Sequence, residues 1–311
     1  MKFNHILFPT DFSQGSRALN KQVEWLAARF GSRVTLLHVF ELPAGWYVSC
    51  DTAFINLDWV SGLRDCAARS LKEYSLNIPE AQVQRVLLEG DVAAQIMNYI
   101  KAQKVDLVVM GTHSFGALEG LILGSETAKV LHDAGCPIWT DSLLHNQKPS
   151  AAVSNILCAV DRIDEAVPLM RFTKQLADDL GATVRLIHAV PEIEAHANRY
   201  FLDLHRHLAD SARAEIEKLQ VEAGTNFPLT IGETGVADAL AEAAQDCEAD
   251  LIVIGRGKAR KTLGRFRTHA YDIIRHAPCP VLSCAFAAHE DPRQGEKIAH
   301  VQEDQHFAAT R

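Results

Sequence analysis

Short aliphatic runs recur along this chain, separated by longer stretches with helical spacing. Leu36-Leu37-His38-Val39 and Leu107-Val108-Val109-Met110 are apolar almost without a break, the pattern of strands covered on both faces of a parallel sheet. Between them, Ser16–Phe30 places Leu19, Val23, Leu26, Ala27 and Phe30 on one helical face, and Gly31 supplies a stop. Further helices are predicted over Leu57–Leu76 and Val92–Gln103, and a fourth starts near Gly124-Ser125. The order β-α-β-α-β-α-β-α-β predicts a doubly wound parallel sheet of about five strands with right-handed crossovers.

The pattern then repeats. Asn4–Asp11 matches Asn155–Asp161, with Asp11 on Asp161, and Val34–Val39 matches Val184–Ala189. Asp106–Gly111 matches Asp250–Gly255, and Gly135-Cys136-Pro137-Ile138 matches Pro278-Cys279-Pro280-Val281. The offset is 150 at the first two blocks, then 144 and 143, so two related units differ by small deletions. The expected fold is α/β: two tandem, Rossmann-like, doubly wound five-stranded domains, at 1–145 and 151–285. The second has a long helix around Ala195–Ala223. The boundary falls in His145–Ser150, a polar stretch with a proline, and the polar tail 286–311 has no periodicity and reads as disordered.

Bulk properties narrow the function classes. With 311 residues, each unit is large enough to bury its own core. A formal net charge of −8 argues against nucleic acid and membrane surfaces as partners, since both call for a basic face. The N-terminal apolar run is cut by Pro9 and does not read as a signal peptide, and no stretch reaches the roughly 18–20 apolar residues of a membrane span. Seven scattered cysteines without a C-x-x-C pair read as reduced thiols in a cytoplasmic protein.

In open α/β sheets ligands bind beyond the carboxyl ends of strands, where the strand order reverses. Here the first strand ends in Pro9-Thr10-Asp11 and the fourth in Gly111-Thr112-His113-Ser114. Gly111 is expected to let the backbone turn so that successive N–H groups face an anion. Gly124-Ser125 opens the last helix, where free N–H groups, the positive dipole end and a hydroxyl converge. A carboxylate at Asp11 suits a ribose hydroxyl or an adenine amino group. Together these pieces describe a mononucleotide site; singly, each is ordinary structure.

The residues Pro9-Thr10-Asp11-Phe12-Ser13, Leu36–Val39, and Gly111-Thr112-His113 through Leu123-Gly124-Ser125 to Cys136-Pro137 resemble the universal stress protein (UspA-type) family. The similarity covers residues 1–143 and, more loosely, 151–285. It implies an adenine-nucleotide α-hydrolase-like fold and a stress-response regulatory role. ATP-binding members of that family carry glycine, two residues, glycine, nine residues, then glycine and Ser/Thr. By that resemblance Asp11 and Val39 contact the adenosine of ATP, bound with Mg2+, and Gly111, Gly124 and Ser125 hold the phosphates. Pro9, Thr10, Met110, His113 and Ser114 complete the candidate set. The spacing fits, but Ser114 stands where ATP binders have the second glycine. A position needing φ > 0 there penalises serine, whereas one needing only an N–H donor accepts it.

The second unit keeps Asp161 and Gly255 but has Lys258 at the second glycine and Arg267-Thr268 in place of Gly-Ser. Two readings stand: a mainly structural unit, or an anion site built from Lys258, Arg260, Lys261, Arg265 and Arg267. Other signals carry less. Gly255–Thr262 fails the P-loop pattern because Arg260 replaces its second glycine. His205 and His207 are two apart on a helix and do not share a face. His38 and His188 read as core histidines with a satisfied ring nitrogen, and Cys136 and Cys279 as buried thiols. Nothing beside Asp11 or Gly111 supplies a base and nucleophile pair, so any ATP hydrolysis is expected to be slow and incidental. The alternative from another class is a ligand-free structural or partner-docking stress protein. An intramolecular pseudo-dimer would then pair Cys136–Thr140 with Pro280–Cys284 across a pseudo-two-fold axis, with a further homodimer left open.

Overall fold

The computed structural model describes residues 3–42, 57–112, 124–141, 152–161, 163–190, 199–256 and 266–286, with backbone alone at 57, 163–164, 199–205 and 266–269. The strands are β1 His5–Pro9, β2 Arg33–Phe40, β3 Val83–Glu89, β4 Leu107–Gly111, β5 Ile138–Asp141, β6 Asn155–Ala159, β7 Thr183–Ala189, β8 Leu229–Gly232, β9 Leu251–Gly255 and β10 Val281–Cys284. The helices are α1 Gln14–Ala18, α2 Asn20–Phe30, α3 Leu57–Glu73, α4 Val92–Gln103, α5 Ser125–Asp133, α6 Ile163–Leu180, α7 Arg199–Ala223, α8 Val236–Asp246 and α9 Phe266–His276.

All ten strands belong to one sheet, ordered β3-β2-β1-β4-β5-β10-β9-β6-β7-β8. Within each half the pairings are parallel, as the continuous apolar runs require. The halves meet where β5 and β10 pair antiparallel, Ile138 opposite Ser283, Trp139 opposite Leu282 and Thr140 opposite Val281. The expected pseudo-two-fold pairing of the two last strands is therefore present, and it makes the sheet continuous.

Period-two alternation sends Ile6 and Phe8 to one face and Leu7 to the other. Two cores result, one per face, and each runs through both halves. Phe8, Leu26 and Tyr74 share the first with Met170, Leu176 and Leu219. Ile96, Val108 and Val130 share the second with Leu240, Ile252 and Ile274.

Repeated polar contacts confirm the internal match. Asp106 Oδ2 accepts the N–H groups of Asn4 (2.9 Å) and His5 (3.0 Å), and Asp250 Oδ2 accepts those of Ser154 (2.9 Å) and Asn155 (3.0 Å). His38 and His188 are half-buried instead of lying in the core, and His38 lines the cleft beyond β1 and β4, but each has the satisfied ring nitrogen expected of it. Their Nδ1 atoms lie 2.7 Å from the Thr10 carbonyl and 2.6 Å from the Val160 carbonyl.

One expected helix differs. Ser16–Phe30 is broken at Leu19, which separates α1 from α2 and has its N–H bonded to the Ser16 carbonyl at 3.2 Å. The cause is local: Ser13 caps α1, its Oγ accepting from Ser16 N at 3.1 Å, while Ser16 Oγ meets Thr10 Oγ1 at 3.0 Å. These contacts tie the first turn to the end of β1 while α2 restarts along the sheet. Leu19 is buried at the break, which hides it from periodicity. The interdomain stretch 146–150 and the tail from 287 lie outside the described residues.

Candidate functional site

Strand order reverses between β1 and β4, and a cleft of about 770 Å³, open to solvent, lies beyond their carboxyl ends. Leu37, Val39, Ile96 and Met110 give it an apolar floor; Pro9, Thr10, Asp11, Gly111, Glu126 and Thr127 form its polar side. Seven of the predicted site residues fall at this place: Pro9, Thr10, Asp11, Val39, Met110 and Gly111 line it, and Gly124 precedes Glu126 and Thr127 by two and three positions. Ser125 is exposed at the head of α5. His113 and Ser114 lie outside the described residues.

The loop after β1 is held tightly. Phe12 adopts a left-handed conformation (φ 63), a costly one for a bulky residue. Around it, Thr10 Oγ1 accepts the Phe12 N–H at 3.1 Å, Asp11 Oδ1 accepts the Ser13 N–H at 3.0 Å, and the Phe12 ring lies on His38 at 4.2 Å. Asp11 is thereby presented at the surface in one orientation.

Gly124-Ser125 opens α5 as expected, but Gly111 serves a different purpose from the one expected. Gly111 is an ordinary strand residue opposite Asp141, so the backbone does not turn there. Gly124 has φ −56 and ψ 138, a region open to any residue. What both positions offer is an absent side chain beside the cleft. Gly124 has no side chain to cap α5, and among the described residues no side chain takes its first N–H groups, which can therefore serve an acceptor. The Gly111 carbonyl is taken by Thr127 Oγ1 at 3.1 Å, and the Gly124 N–H by the Thr112 carbonyl at 2.9 Å.

Sequence reasoning missed Glu126 and Thr127. Glu126 Oε2 accepts the Ala93 N–H at 3.0 Å, and its Oε1 accepts from Lys129 Nζ at 2.8 Å, an interaction that raises the Lys129 pKa. An acid in the first turn of a helix is common for dipole reasons alone, so nothing in the sequence marks its contact with α4.

The second half has a cleft of about 730 Å³ at the equivalent place, lined by Asp161, Glu165, Gly255 and Arg256 among apolar side chains. Glu165 is buried, and a Cβ placed on Gly255 would stand 3.0 Å from its Oε2. A carboxylate thus lies against the glycine that corresponds to Gly111. Lys258, Arg260, Lys261 and Arg265 lie outside the described residues, and Arg267 and Thr268 are described only as backbone of α9.

Among the described residues no group of three or more His, Cys, Asp or Glu side chains could hold a metal, and no helix is long and apolar enough to cross a membrane. Cys136 is buried as expected, and burial pushes its thiol up to about 11; Cys279, by contrast, is only partly covered. Both lie two residues before the last strands.

The sequence profile of the universal stress protein family matches residues 2–140 and again 153–284. A universal stress protein of Methanocaldococcus jannaschii is 26% identical over 138 residues, which is 44% of this chain and 80% of the relative. One from Mycobacterium bovis is 24% identical over 215 residues, 61% of this chain and 68% of its own length. Among solved structures, a universal stress protein from Archaeoglobus fulgidus superposes with a TM-score of 0.63 at 20% identity, covering 91% of this chain and 97% of that one. With two matches that together span most of its length, the chain belongs to the universal stress protein family as a tandem, two-domain member.

Proposed function

We propose that the first half binds ATP or another adenine nucleotide, with Mg2+ carried on the phosphates, and that the chain is a cytoplasmic regulatory module of a stress response. The carrying observation is the coincidence, at one strand-order reversal, of an apolar floor, a fixed carboxylate at Asp11 and the uncapped N-terminus of α5. In this reading Val39 and Met110 pack against the base, and Asp11 accepts a hydrogen bond from the nucleoside. Gly111 and Gly124 leave room for the phosphates to approach the α5 N–H groups, with Ser125, His113 and Ser114 beside them. The second half is mainly structural: its cleft already has the Glu165 carboxylate against Gly255, which disfavours a phosphate there.

The test is mass spectrometry of small molecules released from the purified protein, followed by calorimetric titration with ATP and Mg2+. Asp11→Ala should weaken binding at least about tenfold, the scale of a lost charge-assisted hydrogen bond. ATP binding that neither Asp11→Ala nor Gly124→Ala weakens would refute the site. A second reading, a ligand-free partner-docking protein, draws on Glu126, a carboxylate lining the cleft near the head of α5. Absence of any thermal shift with ATP and Mg2+ would select it.

A further inference from the structure

The N-terminus of α5 opens on the first cleft, yet the rest of the helix is held by side chains of the other half. Arg256 follows β9, and its own N–H is fixed to the Cys284 carbonyl at 2.7 Å. Its guanidinium crosses the β5–β10 junction and donates to the Leu131 carbonyl at 2.6 Å and the Cys136 carbonyl at 2.5 Å. Leu131 belongs to the last turn of α5, whose carbonyls lack helical partners, and a cation there also complements the helix dipole. Three residues earlier, the Ala128 carbonyl accepts the Tyr271 hydroxyl from α9 at 3.1 Å.

The arrangement is not reciprocal. Thr112 follows Gly111 as Arg256 follows Gly255, and its N–H makes the matching bond to the Asp141 carbonyl at 3.2 Å. The Thr112 hydroxyl turns to the Asp141 carbonyl of its own half at 3.4 Å. Where α9 has Tyr271, α5 has Ala128, which has no side-chain donor. At these two positions the polar contacts therefore run from the half with the degenerate loop to the last helix of the other half.

We propose that Arg256 and Tyr271 are positioning residues: from the second half they fix α5, and through it they set the affinity of the first cleft for a phosphate-bearing ligand. This rests on the nucleotide reading of that cleft, and it gives the second half a defined task beyond packing.

The experiment uses the full chain with Arg256→Met, Arg256→Lys and Tyr271→Phe, and reads two quantities. Amide hydrogen exchange without ligand should speed up within α5 in Arg256→Met and Tyr271→Phe while α2, packed on the opposite face of the sheet, is unchanged. The dissociation constant for ATP with Mg2+ should rise roughly tenfold in Arg256→Met and roughly threefold in Tyr271→Phe. Arg256→Lys, able to reach one carbonyl, should recover part of both effects. Unchanged α5 exchange overturns the proposal, and so does an unchanged dissociation constant in a variant whose α5 has loosened. If Arg256→Met fails to fold, Tyr271→Phe decides, since it removes a single oxygen. Should the unaltered chain bind no ATP, the nucleotide reading falls by itself. Exchange then decides separately whether the second half restrains α5: faster exchange sustains that restraint and unchanged exchange removes it.

Discussion

Gly232 ends β8 where α8 packs down on the sheet, and a Cβ built on it would lie 2.6 Å from the Cβ of Ala239. Both atoms sit on regular elements, so neither can yield cheaply. Gly232→Ala should destabilise the chain by about 1–3 kcal/mol, the usual range for overpacking. Gly62 lies on the exposed side of α3, and a methyl group added there would meet nothing within 4 Å. Gly62→Ala should therefore stabilise by about 1 kcal/mol through helix propensity. Urea unfolding of both variants checks the pair, and a shift of the same sign in each would refute the steric account. His5 supplies a pH dependence. It is buried, with Nε2 2.8 Å from Thr35 Oγ1 and Nδ1 2.9 Å from an Arg33 nitrogen. Burial first, and the Arg33 charge second, hold its pKa below the ordinary 6.5. In acid the unfolded chain takes up this proton before the folded one does. The stability from neutral His5 is thus complete above pH 6.5 and lost as pH falls through the folded value. The urea midpoint should fall less steeply below about pH 6.5 in His5→Gln than in the parent; parallel profiles would remove His5 as the titrating group.

Where an element's ends depend on its own residues, the sequence is enough to place them. The helix expected over Val92–Gln103 is the one observed, because Asp91 caps α4 by accepting the Ala94 N–H at 2.8 Å and the apolar face is regular. Gly31, at φ 66, ends α2 in the left-handed conformation expected of a C-terminal glycine. The break at Leu19 is not legible, since it is made by Thr10 reaching Ser16 across the loop and leaves the apolar spacing intact. Asp11 can be placed at the cleft because the topological rule acts on strand ends, whereas Val39 is legible there only through the family resemblance. Glu126 cannot be placed there, because its role is a contact between two helices. That contact has a measurable consequence. Glu126 accepts the Ala93 N–H beside the Asp91 cap, so α5 helps to satisfy the start of α4. Glu126→Ala should cost about 1 kcal/mol, as loss of a helix cap does, and Glu126→Gln less, since an amide oxygen still accepts. Equal urea midpoints for Glu126→Ala and the parent would show that the contact contributes nothing. In the nucleotide reading Glu126→Gln should also tighten ATP binding, because it removes a negative charge from the phosphate side of the cleft.

Across the whole molecule, the duplication read from four sequence blocks becomes one mechanical body. Trp139 and Leu282 are almost fully buried on paired strands from different halves. Thr140 Oγ1 donates to the Val281 carbonyl at 3.2 Å, and Ser283 Oγ returns the contact to the Ile138 carbonyl at 3.3 Å. Each core layer draws residues from both copies, so neither half should lose its packing without loosening the other. The sequence itself provides a probe, for all four tryptophans (25, 46, 59 and 139) lie in the first copy. Tryptophan fluorescence therefore follows the first half, while far-ultraviolet circular dichroism follows both. The two signals should report a single coincident transition in urea. Leu186→Pro sharpens the test by placing a proline in β7, an inner strand of the second half remote from the junction, where it removes the N–H that Leu186 donates to the Pro228 carbonyl and costs on the order of 3 kcal/mol. If the junction couples the halves, the fluorescence midpoint must move although the substitution lies in the copy without tryptophan. A fluorescence midpoint that stays in place while the dichroism splits into two steps would mean that the halves unfold independently. The hold of Arg256 and Tyr271 on α5 would then lack the rigid frame it needs.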